Sequence, residues 1–434
     1  MKNFKIINLG CKSNRFESDS ISMQLKQKGY EPSQSNSDIV VINTCTVTSK
    51  AGMQSRQEIR KALKENPEAK IIVTGCHAQT QPGEISAIDK DIIIVDQEHK
   101  NLIPSLIDSD SKHLFEKNII TGSICRDNKF RFMPSGNFLG RTRAFLKIQD
   151  GCNAFCSYCI IPYARGKSRS MEFKKVIEQL QLLKEKSYKE VVLTGIHIGL
   201  YGEDLNKKTS FTSLIKYIYK YKNNFPRLRI SSIEPNEISD EIIEIASENN
   251  VLCPHFHIPF QNGDDYILGR MKRPYNRTYL YSLTKKIYDK VKNVSIGADI
   301  LIGFPGESEE CFKNTYSLLN DLPLTYLHVF PYSPRKNTPA AGFKDQVNGK
   351  IAKKRTFETR KLSNLKKELF YKSQIGKTKK ILFEKKRDKA TGLLKGFSEN
   401  YILCHYDGNN ELKNTIETKK IEYDETRKIM VAKD

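Results

Sequence analysis

The sequence lacks any long run of apolar residues, and stretches such as 92–95 are only a few residues long. Because a membrane-spanning helix needs about 20 apolar residues, we expect no membrane span. Residues 1–10 lack the long apolar core of a signal peptide, and we therefore expect a cytoplasmic protein. No heptad, Gly-X-Y or solenoid period is sustained, which excludes a coiled coil, a collagen-like chain and a repeat protein.

Acidic residues are also in short supply. The 434 residues include 72 Lys+Arg against 50 Asp+Glu, for a formal net charge of +22, and 38% of them are hydrophobic. This hydrophobic fraction excludes whole-chain disorder. The charge predicts a polyanionic partner, with nucleic acid favoured over an anionic membrane surface. Half of the excess, +11, falls in residues 351–390, which contain 15 Lys+Arg and 4 Asp+Glu.

The pattern of apolar segments predicts an α/β protein of three domains. Residues 1–125 alternate short strands with helical spans, which predicts a doubly wound parallel sheet with strands at 4–9, 38–43, 70–74 and 91–96. Residues 138–368 predict an open, partial (β/α)6 barrel with strands at 144–149, 190–194, 227–232, 255–260, 294–302 and 325–330. Residues 371–434 predict a small β-barrel, and 125–140 a linker.

The sharpest motif is C-x3-C-x2-C, formed by Cys152, Cys156 and Cys159 directly after the first barrel strand. Three clustered thiolates can hold three irons of a 4Fe–4S cube, which leaves one iron open for another ligand. The alternative is a structural zinc site completed from elsewhere. Zinc prefers paired C-x2-C knuckles, and no second pair follows.

Three other cysteines share one position in the pattern. Cys11, Cys45 and Cys76 each come just after a predicted parallel strand of the first domain. Because the carboxyl ends of such strands meet at one crevice, we expect these thiols to lie close together. The alternative is three buried apolar cysteines. Cys125, Cys253, Cys311 and Cys404 fit no common site, and we expect isolated thiols there.

The C-x3-C-x2-C motif resembles that of radical S-adenosylmethionine (SAM) enzymes, whose partial barrel carries it after the first strand. The resemblance implies that the open iron binds SAM and that an electron cleaves SAM to methionine and a 5′-deoxyadenosyl radical. Both triads resemble those of the methylthiotransferase family. The same resemblance is carried by the sequence segments 9–12, 43–45, 74–76, 144–152, 160–166, 193–196 and 303–307. This likeness spans nearly the whole chain and includes a terminal TRAM-like barrel.

Carried over from the family, Cys11, Cys45 and Cys76 would hold an auxiliary 4Fe–4S cluster that delivers the methylthio group. One SAM would supply the methyl group and another the radical, and no catalytic residue is expected beyond the cluster ligands. An electron donor such as flavodoxin or ferredoxin is implied as a partner.

The resemblance also suggests SAM contacts. Tyr158 would pack against the adenine, although a plain loop tyrosine is the alternative. Gly195, Ser232 and Glu234, at the ends of the second and third barrel strands, are further candidates for SAM binding. In contrast, alternation places His255 and His257 on one face, where we expect a hydrogen-bonded core pair.

The sequence segments 148–152 and 160–169 look most like those of the family branch that modifies N6-threonylcarbamoyladenosine in tRNA. This branch acts at C2 of the nucleoside at position 37, in the anticodon stem-loop. Three alternatives remain open: isopentenyladenosine in tRNA, an aspartate of a ribosomal protein, and a non-enzymatic RNA-binding iron–sulfur sensor. The basic segment 351–390 favours RNA, and the aromatic residues Phe370, Tyr371, Phe383 and Tyr401 are expected to stack on bases.

Overall fold

The computed structural model describes residues 2–34, 36–107, 118–120, 122, 129–134, 141–205, 208–248 and 251–434. Cys125 and most of the predicted linker at 125–140 lie outside the described residues. Residue contacts divide the chain into two units: residues 1–139, 147–171 and 333–342 form the first, and residues 140–146, 172–332 and 343–434 the second. Among the described residues, every helix is too short or too polar to span a bilayer.

The first unit contains a parallel sheet. Its strands are β1 (Asn3–Asn8), β2 (Glu31–Pro32), β3 (Ile39–Thr44), β4 (Lys70–Gly75), β5 (Ile93–Val95) and β6 (Ile119–Ile120). They pair in the order β2-β1-β3-β4-β5-β6, and every neighbouring pair is parallel. Strand β3 is buried along its whole length, as expected when helices cover both faces of a sheet. The predicted doubly wound sheet is confirmed.

Helices of the first unit pack on this sheet. They are α1 (Lys12–Gln27), α2 (Ser49–Glu65), α3 (Cys76–Thr80), α4 (Pro82–Ser86) and α5 (Ile103–Leu106). The sequence pattern predicts a helix over 18–28, so the start of α1 at Lys12 is a correction. Its first turns bury the polar residues Ser13, Asn14 and Glu17, with Phe16 as the one apolar residue among them. The apolar periodicity that indicates a helix therefore begins late.

The segment that carries the C-x3-C-x2-C motif follows. It contains β7 (Arg143–Lys147), β8 (Gln149–Asp150), α6 (Ile161–Arg165) and β9 (Arg169–Ser170). Strands β8 and β9 pair in antiparallel fashion. This pairing closes a loop, and the motif lies inside it.

The second unit contains the partial barrel. Its further strands are β10 (Glu190–Thr194), β11 (Arg227–Ile230), β12 (His255–Gln261), β13 (Ser295–Ile302) and β14 (Tyr326–Pro331). They form two three-stranded sheets in the orders β11-β10-β7 and β12-β13-β14. The pairs β10–β11, β12–β13 and β13–β14 are parallel. Single parallel bridges join Leu228 of β11 to Leu252, which precedes β12, and Ser232 to His257 of β12. The predicted six-stranded open barrel is confirmed.

Helices of the second unit separate these strands. They are α7 (Phe173–Glu185), α8 (Phe211–Lys220), α9 (Asp240–Ser247), α10 (Asp265–Arg270), α11 (Arg277–Lys290), α12 (Glu309–Asp321) and α13 (Gly349–Gln374). Helix α10 is too short to give a periodic signal in the sequence. Helix α13 carries much of the basic segment 351–390.

The C-terminal residues form a closed five-stranded barrel, which confirms the predicted small β-barrel. Its strands are β15 (Thr378–Phe383), β16 (Leu394–Ser398), β17 (Leu403–Tyr406), β18 (Ile416–Asp424) and β19 (Ile429–Lys433). The buried core consists of Ile381, Phe383, Leu394, Ile402, Cys404, Ile421, Met430 and Ala432. The expectation that Phe383 stacks on RNA bases is therefore wrong, because its ring fills this core. Tyr401 is also engaged, since its ring stacks on Phe397 with centroids 4.9 Å apart.

Candidate active site

Three cysteines lie at the carboxyl ends of neighbouring strands of the parallel sheet. Cys11 follows β1 and is the N-cap residue of α1, Cys45 follows β3, and Cys76 follows β4 and begins α3. Strand β3 pairs with both β1 and β4, so these ends are adjacent. Negative charge on Cys76 or Cys11 raises the pKa of the Cys45 thiol. The structure thus brings this first triad together.

Glycines next to two of these cysteines allow the strand ends to approach one another. Gly10 and Gly75 both have a φ of +101°, a conformation that side chains disfavour. A Cβ on Gly10 would lie 3.0 Å from Sγ of Cys45, and one on Gly75 would lie 2.3 Å from the carbonyl oxygen of Thr44. A side chain at either position would therefore force the strand ends apart.

Burial controls the ionisation of Cys45 and Cys76 in the first triad. It raises the pKa of Cys45 to about 12, with a further contribution from Cys76, and it also raises the pKa of Cys76. Both thiols therefore stay protonated at neutral pH unless a cation replaces the proton, as happens when thiolates bind metal. Gln97 donates a hydrogen bond from Nε2 to Sγ of Cys76 at 3.4 Å. This amide, which has no motif to mark it in the sequence, stabilises negative charge on the sulfur.

The second triad occupies the loop between β8 and α6. Cys156 is buried, whereas Cys152 and Cys159 are half-buried. The N–H of Cys152 donates to the carbonyl oxygen of Gly166, and that of Cys159 to the carbonyl oxygen of Cys156, both at 3.0 Å. The N–H of Ala154 donates to Sγ of Cys152 at 3.4 Å. The loop is therefore fixed by its own backbone.

The donor set separates the zinc and iron–sulfur interpretations. A structural zinc ion takes four tetrahedral ligands, whereas each triad supplies three cysteine sulfurs. Three soft sulfur donors fit a 4Fe–4S cube that keeps one iron open. Elsewhere among the described residues, His257, Asp299 and His328 bring ligand atoms within 4.8 Å of one another.

Buried charged side chains without a local sequence signal join the segments that carry the two triads. Arg165, the last residue of α6, donates from Nη1 to Oε1 of Glu17 and to Oδ1 of Asp150, each at 2.9 Å. The full set, which we call the buried ion network, is Glu17, Lys100, Lys147, Asp150, Arg165 and Arg169. None of these residues is more than 7% exposed. Arg165 lies within the family motif at 160–166, whereas its partner Glu17 is 148 positions earlier in the sequence.

The SAM-contact candidates occupy two places. Tyr158 is half-buried in the loop of the second triad. In the second unit, Gly195, Ser232 and Glu234 are half-buried just beyond β10 and β11. Burial raises the pKa of the Glu234 carboxyl group, although it forms an ion pair with Arg273.

The two histidines of β12 share one face, as alternation predicts. His255 and His257 both hydrogen-bond to the hydroxyl of Tyr326, at 2.9 and 3.1 Å. His257 also pairs with Asp299 at 2.9 Å, and His328 lies 3.3 Å from the same carboxylate oxygen. Burial alone would raise the pKa of Asp299, but hydrogen bonds from the two histidines hold it below its usual range. Both histidines are thus hydrogen-bonded, as expected.

Comparison with known proteins identifies the chain. Residues 3–95 match the uncharacterized protein family UPF0004, and residues 146–319 match the radical SAM superfamily. Over 95% of its length, the chain is 39% identical to the threonylcarbamoyladenosine tRNA methylthiotransferase MtaB of Bacillus subtilis, of which 92% is covered. The chain belongs to the radical SAM methylthiotransferase family. As a methylthiotransferase of this type it uses SAM and 4Fe–4S clusters.

Two further proteins are similar to this methylthiotransferase, one in sequence and one in fold. It is 32% identical to the tRNA-2-methylthio-N(6)-dimethylallyladenosine synthase of Carboxydothermus hydrogenoformans, over 97% of this chain and 96% of that protein. Its fold is similar to that of the radical S-adenosylmethionine methyltransferase TsrM of Kitasatospora setae. The TM-score is 0.55 at 14% identity, over 79% of this chain and 75% of that one.

Proposed function

We propose that this methylthiotransferase acts on tRNA and converts N6-threonylcarbamoyladenosine at position 37 into its 2-methylthio derivative. The observation that carries the proposal is the presence of two separate cysteine triads in one unit of the fold. An iron–sulfur sensor that binds RNA needs only one cluster. The Bacillus relative, whose name states this activity, is more similar than the relative named for dimethylallyladenosine.

The cysteines would divide into two ligand sets. Cys152, Cys156 and Cys159 would hold the cluster that binds SAM, and Cys11, Cys45 and Cys76 the auxiliary cluster. When bound, these groups supply a 5′-deoxyadenosyl radical and a transferable methylthio group. The residues of the chain provide the positions: the loop after β8 is held by backbone hydrogen bonds, and Gln97 donates to the sulfur of Cys76.

Side chains beyond the cysteines would orient SAM. The ring of Tyr158 is suited to pack on an adenine. Gly195 leaves backbone groups accessible because it has no side chain. The hydroxyl of Ser232 and the carboxylate of Glu234 are suited to accept hydrogen bonds from ribose hydroxyls, and the ion pair with Arg273 restrains Glu234.

Domain roles follow from the same assignment. Residues 1–125 would carry the auxiliary cluster, residues 138–368 the radical SAM core, and residues 371–434 a TRAM-like RNA-binding barrel. Helix α13, which leads into the barrel, exposes the cations Lys353, Lys354, Arg360, Lys361, Lys367 and Lys372. Neutralising phosphates of the anticodon stem-loop with these cations would release counterions and supply affinity.

Two partners complete the proposal. Reduction of the SAM-binding cluster requires a low-potential electron donor, such as flavodoxin or ferredoxin. Such donors and tRNA would be met together in the cytoplasm, where we propose that the enzyme acts.

A competition experiment tests the substrate. The holoenzyme is incubated anaerobically with SAM, dithionite and sulfide, and with equal amounts of tRNA carrying N6-threonylcarbamoyladenosine and tRNA carrying isopentenyladenosine. Mass spectrometry of the nucleosides is expected to find the methylthio group on the threonylcarbamoyl form. Methylthiolation of the isopentenyl form alone would assign the enzyme to the sister branch, and methylthiolation of neither would contradict the proposal.

A further inference from the structure

The buried ion network has two acidic centres, of which Glu17 is the first. Its carboxylate accepts from Nζ of Lys100 at 2.5 Å, from Nζ of Lys147 at 2.8 Å and from Nη1 of Arg165 at 2.9 Å. Although burial alone would raise the pKa of Glu17, these cations hold it well below its usual range. Glu17 is therefore ionised.

Asp150 is the second acidic centre. It accepts from Nζ of Lys147 at 3.0 Å and from Nη1 of Arg165 at 2.9 Å, and Nη2 of Arg169 lies 3.6 Å away. Lys147 and Arg165 contact both carboxylates, so the two centres form one network.

The network contains more positive than negative charge. Four cations face two carboxylates, which leaves two positive charges when all groups are ionised. Burying unbalanced charge is costly unless an anion lies nearby. In addition, Nε of Arg165 is buried and has no acceptor among the described residues. Within the part of the chain that the structure describes, this charge is therefore left uncompensated.

Both cysteine triads adjoin the network. Nη2 of Arg165 donates to Oδ1 of Asn14 at 2.5 Å. The Nδ2 of Asn14 in turn donates to the carbonyl oxygens of Leu9 and Thr44, which lie beside the first triad in the chain. On the other side, Gly166, the residue after Arg165, accepts from the N–H of Cys152. Arg165 also interacts electrostatically with the thiols of the first triad.

We infer that the buried ion network is the shared counter-charge of two iron–sulfur clusters, with Arg165 as its central positioning residue. The inference rests on the proposed ligand sets. A four-iron cube held by three thiolates carries one net negative charge in its usual oxidised state, so two such sites balance the two surplus positive charges. Adding one electron at either site, from a low-potential donor that is oxidised, increases the negative charge there. The network favours this reduced state because its charges act through a buried, weakly screening medium.

Variants that neutralise charges of opposite sign test the inference. In Arg165→Gln one positive charge is lost, in Glu17→Gln one negative charge is lost, and Arg165→Lys keeps the charge but loses the fork of donors. Arg355→Gln is the control, because Arg355 is a buried arginine of the second unit that pairs with Glu307. Each protein is loaded anaerobically with iron and sulfide. Its clusters are then titrated with dithionite and mediators and followed by electron paramagnetic resonance.

The two neutralising variants are expected to shift the clusters in opposite directions. Arg165→Gln should make reduction of both clusters at least tenfold less favourable, which is about 59 mV for a one-electron couple. Glu17→Gln should make reduction more favourable, and Arg165→Lys and Arg355→Gln should stay near the wild type. Proteins that lack one triad (Cys to Ala at all three positions) assign each signal to its cluster.

Several results would overturn the inference. These are an unchanged potential in Arg165→Gln, a response of only one cluster, or a shift of Arg165→Gln and Glu17→Gln in the same direction. If Arg165→Gln does not load its clusters, Glu17→Gln decides, and a potential at or below that of the wild type contradicts the inference. A wild-type protein that binds fewer than two clusters would instead refute the proposed ligand sets.

Discussion

Nη1 of Arg165 and Oε1 of Glu17 form an ion pair 2.9 Å long, and neither side chain is more than 1% exposed. Glu17 belongs to α1, which begins directly after Cys11, and Arg165 ends α6, which begins shortly after Cys159. The pair therefore ties the helices that follow the two triads to each other. Removing one member of such a buried pair costs about 3–5 kcal/mol, because the other charge is left uncompensated.

Because the two triads have separate proposed roles, replacing a cysteine in each should abolish a different activity. Cys152→Ala should abolish reductive cleavage of SAM, because the SAM-binding cluster loses a ligand. Cys45→Ala should keep the cleavage but lose methylthio transfer. Both are measured by mass spectrometry as 5′-deoxyadenosine and methylthiolated nucleoside from one reaction. Cys253→Ala, which changes a buried thiol outside both triads, should keep both activities. Full transfer by Cys45→Ala would show that the auxiliary assignment is wrong.

The conformation of Gly75 predicts an unusually costly substitution. Gly75→Ala places a Cβ 2.3 Å from the carbonyl oxygen of Thr44 at a positive φ, so we expect a loss of about 1–3 kcal/mol or more and weaker iron binding. Gly83→Ala in α4 is the matched control, because a Cβ there has no neighbour within 4 Å. It should leave the unfolding temperature and the iron content near wild type. Equal effects of the two substitutions would argue against strain at Gly75.

Phosphate contacts by α13 predict a salt-dependent effect on tRNA binding. Replacing the exposed residues Lys353, Lys361 and Lys367 by Gln should weaken binding. The slope of log K against log salt concentration is negative, and its magnitude should fall by about 1 for each lost contact. The measurement is fluorescence anisotropy with labelled tRNA at several salt concentrations.

A control for this prediction is available on α2. Replacing its exposed residues Lys50, Lys61 and Lys64 by Gln removes the same charge from the first unit. This protein should bind tRNA with a slope close to that of the wild type. If the magnitude of the slope falls equally in both triple variants, the binding reflects overall charge and not a surface on α13.

A lysine inside the C-terminal barrel predicts a pH-dependent stability. Lys379 is 2% exposed, and burial lowers its pKa to about 8, against an opposing effect of Glu399. Below that pH the folded barrel bears the full cost of a buried charge. Between about 8 and the ordinary value of 10.5, the unfolded chain holds more protons, so stability rises with pH.

Lys379→Met should therefore stabilise the barrel most below about pH 8, with the gain shrinking as pH rises. The measurement is the unfolding temperature by calorimetry across this range, where 1 kcal/mol corresponds to about 4–8 °C for a small domain. The matched control is Lys380→Met, since Lys380 is the exposed neighbour on the other face of β15. A gain that does not depend on pH would contradict the assignment of the effect to Lys379.

The sequence predicts some parts of this site and not others, for physical reasons. The positions of Cys11, Cys45 and Cys76 follow from strand patterns, because apolar runs mark strands and the carboxyl ends of parallel strands meet at one edge of a sheet. The buried ion network could not be predicted in this way. Charged residues are usually exposed, and the contact of Arg165 with Glu17 joins parts of the chain 148 positions apart. Alternation in β15, which places Phe383 on the same face as Ile381, could have indicated that its ring points into the barrel.

Nucleoside mass spectrometry of total tRNA from a deletion strain tests the central claim most directly. We expect 2-methylthio-N6-threonylcarbamoyladenosine to disappear and N6-threonylcarbamoyladenosine to accumulate. The wild-type gene should restore the methylthio form, whereas the Cys45→Ala variant should not. An unchanged level of 2-methylthio-N6-threonylcarbamoyladenosine in the deletion strain, or loss of the methylthiolated isopentenyl nucleoside instead, would contradict the account.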